Sequence, residues 1–335
     1  MKTSNLFTSF VINKAPHLTN LLNAIQTTCK VIQKDVSNAS IYELNGIIDE
    51  NNQNTSGDVQ KKLDVISNDI MINNLIESKS CSILISEENE HPILVDIDYR
   101  GRYIVMFDPL DGSSNIDCNC CIGTIFSIFD IDGLNNDLDK IDIYDKNTYI
   151  KNGNDMICAG YVLYGPSTEM VITFGVGSGV HKFTLDSSIG EFVFTGNIKF
   201  PENGKKIYSI NESNCKNWSD ITKEYINQYK VKDTKYTQRY IGSMVADVHR
   251  TLLYGGLFMY PSDSKNEKGK LRILYECFPM ARIVEEAGGK AITGEINSMR
   301  ILDLIPTNIH EKTPIMLGSN YEIDKFEDLL IKYRK

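Results

Sequence analysis

The stretch Phe107-Asp108-Pro109-Leu110-Asp111-Gly112-Ser113-Ser114 carries the residue types best suited to chemistry: two carboxylates flanking a proline, then a glycine and two serines. It follows the apolar run Tyr103-Ile104-Val105-Met106, which reads as a buried strand. Proline fixes its own φ and keeps Asp108 out of the helical region. The pattern therefore predicts a sharp exit from the strand and a turn at Asp108-Pro109-Leu110-Asp111 that aims both carboxylates into one space. Gly112-Ser113-Ser114 then supplies successive backbone N–H groups with little bulk, the arrangement that holds a phosphate oxygen in a nest or at a helix start. Oxygen ligands beside an anion cradle suit a hard divalent cation bridging protein and phosphate.

Taken alone, Asp-Gly after a strand is an ordinary turn. Other acids occupy equivalent places, however. Glu87-Glu88 follow Ile83-Leu84-Ile85-Ser86, and Glu276 follows Leu271-Arg272-Ile273-Leu274-Tyr275. Ligands in open α/β sheets collect beyond strand ends, so three strand-like runs ending in acid can converge on one metal site. Arg239, Lys270 and Arg272 bracket the last acid, with Tyr240 and Tyr260 nearby. Each basic residue singly reads as solvated surface charge; together, beside an acidic centre, they suit a multiply anionic substrate.

The elements that must position these groups are legible in outline. A chain of 335 residues implies two domains or one large one, with ample core. The stripe Leu18, Leu21, Leu22, Ile25, Cys29, Ile32 predicts an amphipathic helix over 17–36. Residues 45–57, rich in Asn and Ser with Asp49 and Glu50, read as a gating loop, after which Asp58 to Asp64 opens a second helix. The runs 124–129, 156–163, 169–174, 180–185 and 191–195 predict a largely antiparallel meander. Within it Gly175-Val176-Gly177-Ser178-Gly179 resembles a dinucleotide fingerprint, but strand-like residues follow it, so a hairpin turn is expected. The polar insert 130–154 reads as a surface excursion.

Beyond residue 196 a second α/β unit is expected. Its strands are 206–210 and 257–260, and its helices are 219–229, 244–254 and one entered at Pro279 and ended by Gly288-Gly289. The formal charge of −9 argues against non-specific nucleic-acid binding, and no run reaches membrane-span length. Residues 1–34 hold four lysines and no acid but lack an apolar targeting core, so a cytoplasmic location is expected. The eight irregularly spaced cysteines read as reduced thiols. Cys118, Cys120 and Cys121 lack the usual zinc spacing and are expected to pack.

These motifs resemble the class I fructose-1,6-bisphosphatases. The resemblance is carried by GDVQKKLDVISND (57–69), SEE (86–88), FDPLDGSSNID (107–117), GTIFSIF (123–129), YSINE (208–212), RYIGSMVADVHRTLLYGG (239–256) and GKLRILYECFPMARIVEEAGG (269–289), in the family's order and over nearly the whole chain. It implies an α/β (α+β) enzyme with a layered αβαβα fold, an N-terminal metal- and 1-phosphate-binding half over 1–195 and a C-terminal substrate-binding half over 196–335. The implied activity is release of the 1-phosphate of fructose 1,6-bisphosphate with two to three Mg²⁺ or Mn²⁺ ions per subunit, in a homotetramer with no nucleic-acid or membrane partner.

Residue by residue, the resemblance implies metal ligands at Asp58, Glu87, Asp108, the Leu110 carbonyl, Asp111 and Glu276. Asp64 and Glu88 match the pair that positions and deprotonates the attacking water, and Gly112, Ser113 and Ser114 the 1-phosphate cradle. Asn211, Tyr240, Tyr260 and Lys270 match 6-phosphate contacts, Met244 a sugar contact and Arg272 a basic residue near the metals. Arg239 matches an arginine lent by a neighbouring subunit. Asn214 departs from a 6-phosphate tyrosine common in the family.

The nucleotide-inhibition site departs further. The segment Phe10 to His17 is shortened, and Asp130 replaces an arginine beside the retained Thr19 and Arg102-Tyr103. Weak or absent AMP inhibition is therefore expected. Residues 130–154 also lack the cysteines of thioredoxin-regulated plastid forms. A sedoheptulose-1,7-bisphosphatase, a dual sugar bisphosphatase and a catalytically silent scaffold are the alternatives, with inositol monophosphatase a more remote one.

Overall fold

The computed structural model describes residues 5–44, 46, 61–131, 138–202, 204–231 and 235–333. Helices α1 (Phe7–Lys14), α2 (Thr19–Ser37) and α3 (Lys62–Glu77) precede one sheet of eight strands: β1 (Cys81–Ser86), β2 (Ile93–Leu94), β3 (Tyr103–Asp111), β4 (Ile122–Asp130), β5 (Met156–Tyr164), β6 (Thr168–Thr173), β7 (Val180–Asp186) and β8 (Glu191–Ile198). The order is β2-β1-β3-β4-β5-β6-β7-β8, and from β3 onward every neighbouring pair is antiparallel. β1 and β3 run parallel. Their ends, carrying Glu87 and Asp108–Asp111, therefore emerge on the same side.

Alternate residues of these strands enter different cores. Ile83, Ile85, Ile104 and Met106 join one apolar cluster, while Leu84, Val105 and Phe107 join another with α1, α2 and α3. With both faces covered, β3 is buried along its whole length, which explains its unbroken apolar run. On the first face lie α5 (Met244–Tyr254) and α6 (Phe278–Glu286).

Beyond them comes a second sheet, ordered β10-β9-β11-β15-β13. Its strands are β9 (Ile207–Ser209), β10 (Thr237–Gln238), β11 (Leu257–Tyr260), β13 (Gly289–Ile292) and β15 (Ile315–Ser319). Its outer face is covered by α4 (Asp220–Val231) and α7 (Asn320–Tyr333). A short pair, β12 (Leu271–Arg272) with β14 (Lys312–Thr313), completes the strands. The layers run helix, sheet, helix, sheet, helix. No described helix is long and apolar enough to cross a membrane.

The meander and the helices of the second unit fall where the periodicity puts them, and Gly175–Gly179 joins β6 to β7 as a turn. Its Gly177 and Gly179 amides donate to the Glu286 carboxylate at 3.0 and 3.2 Å.

Four expectations need correction. The chain does not leave β3 at Asp108. It stays in the strand to Asp111 through a register shift against β4, and the Pro109 carbonyl is held by the Thr124 hydroxyl at 2.8 Å. A bulge accommodates the missing proline N–H, so the sharp exit is deferred to Gly112. Residues 273–275 are not strand either, because Ile273–Cys277 winds as a π-helical turn into α6. The insert is only partly a surface excursion: Ile141 is buried, and Leu138, Tyr149 and Ile150 pack on the core. Cys118 and Cys120 are exposed rather than packed, beside Asn119 at φ 57°.

Candidate active site

The three acid-bearing segments meet. Carboxylate oxygens of Asp108, Asp111 and Glu276 lie within 4.8 Å of one another, and all three side chains are buried. Asp108 and Asp111 reach the centre from the two sides of the β3 bulge. Glu276 comes from the π-helical turn, whose wide backbone ring is a recurrent feature of functional sites. Its Oε2 also accepts the Arg272 N–H at 2.6 Å. Glu87, just beyond β1, accepts from the Arg272 guanidinium at 2.8 Å.

Each acid is aimed by donors. The Asp111 Oδ2 takes the Ser243 hydroxyl at 3.1 Å and the Val245 N–H at 2.9 Å, both at the start of α5, where the helix dipole favours negative charge. Asp108 Oδ1 takes the Leu110 N–H at 2.9 Å. Asp64 stands in the first turn of α3, and its carboxylate reaches back to accept the Lys61 N–H at 2.8 Å. The first-turn acid is thus a helix cap and a cleft residue at once.

Crowding and burial raise the proton affinity of the group. Burial, followed by the charges of Glu87, Asp111 and Glu276, holds Asp108 well above the usual carboxylate range. Burial pushes Asp111 up to about 6 against the Val245 N–H, and Glu276 up to about 8 against the Arg272 charge. Asp64 rises to about 6, again chiefly through burial, opposed by the Lys61 N–H and the Ser113 hydroxyl. Buried carboxylates converging this closely form a donor set of hard oxygens, which a divalent cation would neutralise; the residues fit such an ion.

These groups line a cleft of about 410 Å³ together with Glu88, Leu110, Gly112, Ser113, Ser114, Tyr240, Met244, Tyr260, Lys270 and Arg272. Gly112 adopts φ +79°, and a Cβ there would stand 2.9 Å from that of Ser243, so the cradle requires glycine. The short 3₁₀ turn Ser113–Asn115 follows it.

Two expected substrate residues stand apart from this cleft. Asn211 lines a smaller neighbouring cavity with Asn214 and Tyr260, and its Oδ1 accepts from Ser213 N–H at 3.2 Å. Arg239 is exposed and donates to the Gln238 carbonyl at 2.9 Å. Asp58, with most of the expected gating loop, lies outside the described residues.

Sequence reasoning passed over Lys61 and Ser243, which also line the cleft. Ser243 is the N-cap of α5, a position signalled by Gly-Ser before an apolar helix. At the other end of β3, Arg102 pairs with Asp130, its Nε donating at 2.6 Å. The Tyr103 hydroxyl donates to the His17 carbonyl at 3.3 Å, and the Thr19 hydroxyl to the Pro16 carbonyl at 2.8 Å.

The family model of the fructose-1-6-bisphosphatase N-terminal domain matches residues 8–197, and that of the C-terminal domain matches residues 200–331. The cytosolic fructose-1,6-bisphosphatase of Arabidopsis thaliana is 47% identical over 98% of this chain and 95% of its own. That of Beta vulgaris is 47% identical over the same shares. The crystal structure of Leishmania major fructose-1,6-bisphosphatase in holo form superposes with a TM-score of 0.90 at 44% identity, covering 97% of this chain and 98% of that one. The T-state structure of the same enzyme gives 0.84 at 41% identity, covering 98% and 99%. Since both halves match in order and the likeness in sequence and backbone spans almost every residue, the chain belongs to the fructose-1,6-bisphosphatase family.

Proposed function

We propose that the protein is a cytosolic fructose-1,6-bisphosphatase, a phosphoric monoester hydrolase that converts fructose 1,6-bisphosphate to fructose 6-phosphate and phosphate in gluconeogenesis. The observation that carries the reading is the meeting of Asp108, Asp111 and Glu276 beside the Gly112–Ser114 cradle in one cleft. The curated relatives' names, each with the word cytosolic, support both the activity and the location.

In this reading Glu87, Asp108, Asp111, Glu276 and the Leu110 carbonyl hold Mg²⁺ or Mn²⁺, joined by Asp58. Such cations neutralise phosphoryl oxygens and make water a better nucleophile. The chain's own residues supply the rest. The backbone at Gly112, Ser113 and Ser114 cradles the 1-phosphate. Asp64, whose carboxyl burial raises to about 6, accepts the proton of the attacking water, with Glu88 lining the same cleft. Tyr240, Tyr260 and Lys270 take the 6-phosphate with Asn211, Met244 meets the sugar, and Arg272 keeps Glu87 and Glu276 in place.

In this reading, as the family resemblance implies, the working form is a homotetramer; the exposed position of Arg239 is compatible with a residue lent to a neighbour's cleft. AMP inhibition is weak or absent, because the Arg102 guanidinium is engaged by Asp130 where a nucleotide phosphate would need it.

The test is phosphate release from fructose 1,6-bisphosphate by purified protein, with Mg²⁺ and then EDTA. Sedoheptulose 1,7-bisphosphate and an AMP titration run in parallel. Metal-dependent turnover favouring the six-carbon sugar is expected. Preference for the seven-carbon sugar would reassign the substrate, and half-maximal inhibition at low micromolar AMP would overturn the regulatory reading.

A further inference from the structure

We propose that Asp247 is a positioning residue that holds the 6-phosphate end of the cleft in register with the scissile end. The inference rests on the reading that Tyr240 meets the 6-phosphate while Gly112–Ser114 cradle the 1-phosphate.

Asp247 lies in the first turn of α5 and is completely buried. Its carboxylate gathers donors from three separate segments. The Ile241 N–H donates to both oxygens at 3.1 and 3.0 Å, and the Gly242 N–H donates at 3.0 Å. The Ser209 hydroxyl donates at 2.9 Å from the end of β9, and the Arg250 guanidinium at 2.6 Å from one turn further along α5. Gly242 is left-handed at φ +85°, and the consecutive amides of Ile241 and Gly242 converge on one acceptor, a backbone nest filled by the chain's own acid.

The segment so gripped connects the two ends of the cleft. Immediately before it come Arg239 and Tyr240, and the Arg239 carbonyl accepts from Arg250 at 2.9 Å. Immediately after it the Gly242 carbonyl accepts from the Asn115 amide at 3.1 Å, and the Ser243 hydroxyl donates to Asp111 at 3.1 Å. A shift of residues 241 and 242 would therefore move the Tyr240 side of the cleft relative to the Asp111 side.

A carboxylate is the side chain these contacts demand. Every partner is a donor, and an amide in its place would turn an NH₂ toward at least one of them. A buried nest without its acceptor must rearrange to find other partners.

The experiment is steady-state hydrolysis of fructose 1,6-bisphosphate with Mg²⁺ by wild type, Asp247→Asn and Arg250→Ala. Inhibition constants are measured for fructose 6-phosphate, which probes the far end, and for inorganic phosphate, which probes the cradle. For Asp247→Asn, KM and the fructose 6-phosphate constant should each rise about tenfold or more, with kcat and the phosphate constant within about threefold of wild type. Arg250→Ala keeps the carboxylate and should give the same pattern with a smaller rise. It carries the comparison should Asp247→Asn lose its cooperative thermal transition.

Equal weakening of both inhibitors, or loss confined to kcat, overturns the inference, because a merely structural role would act on the whole cleft. Unchanged constants in both variants overturn it as well. Failure of the wild type itself to release phosphate overturns the underlying substrate reading, and the inference falls with it.

Discussion

Asp111 and Tyr260 line the same cleft but differ in what each can contribute. Asp111 is one of three converging buried acids and is the one held by the start of α5, through Ser243 and Val245, so its carboxylate is fixed at the centre of the cluster. Tyr260 stands at the edge shared with the Asn211 cavity and offers one hydroxyl. Phosphoryl transfer depends on charge stabilisation at the reacting group. Asp111→Ala should accordingly lower kcat by about a hundredfold or more, as for loss of a transition-state contact. Tyr260→Phe should mainly raise KM, by about tenfold, the worth of one hydrogen bond to a charged phosphate. Steady-state kinetics on both variants checks this; an Asp111→Ala protein with wild-type kcat would remove that residue from the chemistry.

At the level of elements, β6 and α5 are fastened by a polar relay. Glu169 on β6 accepts from His249 on α5 at 3.2 Å and from Lys182 on β7 at 3.3 Å, while the Tyr161 hydroxyl meets the other ring nitrogen of His249 at 2.8 Å. The His249 hydrogen bond, with further help from Lys182, lowers the Glu169 carboxyl from 4.5 to about 2. A depressed carboxylate contributes stability that is fully present above its unfolded value and is lost as pH falls through its folded value. The contribution is thus complete above about pH 4.5 and gone near pH 2. The melting temperature of wild type should exceed that of Glu169→Gln at pH 6, and the gap should shrink at pH 3. A gap independent of pH would show that the relay is not what ties these elements together.

The same elements show what a sequence can and cannot disclose. The meander and the stripe of α2 were legible because burial imposes a period of two or 3.6 on apolar residues. Helix α1 escaped notice because its eight residues include three β-branched ones, Thr8, Val11 and Ile12, and bury only Phe7 and Val11, too little for a stripe. Pro109 signalled an irregularity, yet whether it becomes a turn or a bulge depends on β4, which supplies Thr124 from a distant position. The π-helical turn at Glu276 has no local signal, since it arises where β12 pairs with the distant β14 and Arg272 offers its N–H to the acid. The cleft acids were legible as types at strand ends. The aims of Asn211 and Arg239 were not, because direction belongs to the assembled loop.

For the whole molecule, the unfavourable crowding of acids is a store of binding free energy for cations. A ligand bound to the folded chain alone stabilises it by about 2.7 kcal/mol at a hundredfold excess over Kd. Millimolar Mg²⁺ should therefore raise the melting temperature and EDTA should lower it, and Asp108→Asn should blunt the response. Scanning calorimetry on both proteins is the check, and identical shifts in the two would place the cation elsewhere.

The bulge in β3 and the π-helical turn before α6 also have a bearing on time. Each is a local departure from regular structure that aims an acid, and the two are separated by about half of the chain. Contacts between such distant segments form only after long loops have closed, whereas the antiparallel neighbours of the meander can pair early. Catalytic competence should thus be the last property a refolding chain acquires, arriving after its secondary structure and most of its apolar burial are already in place.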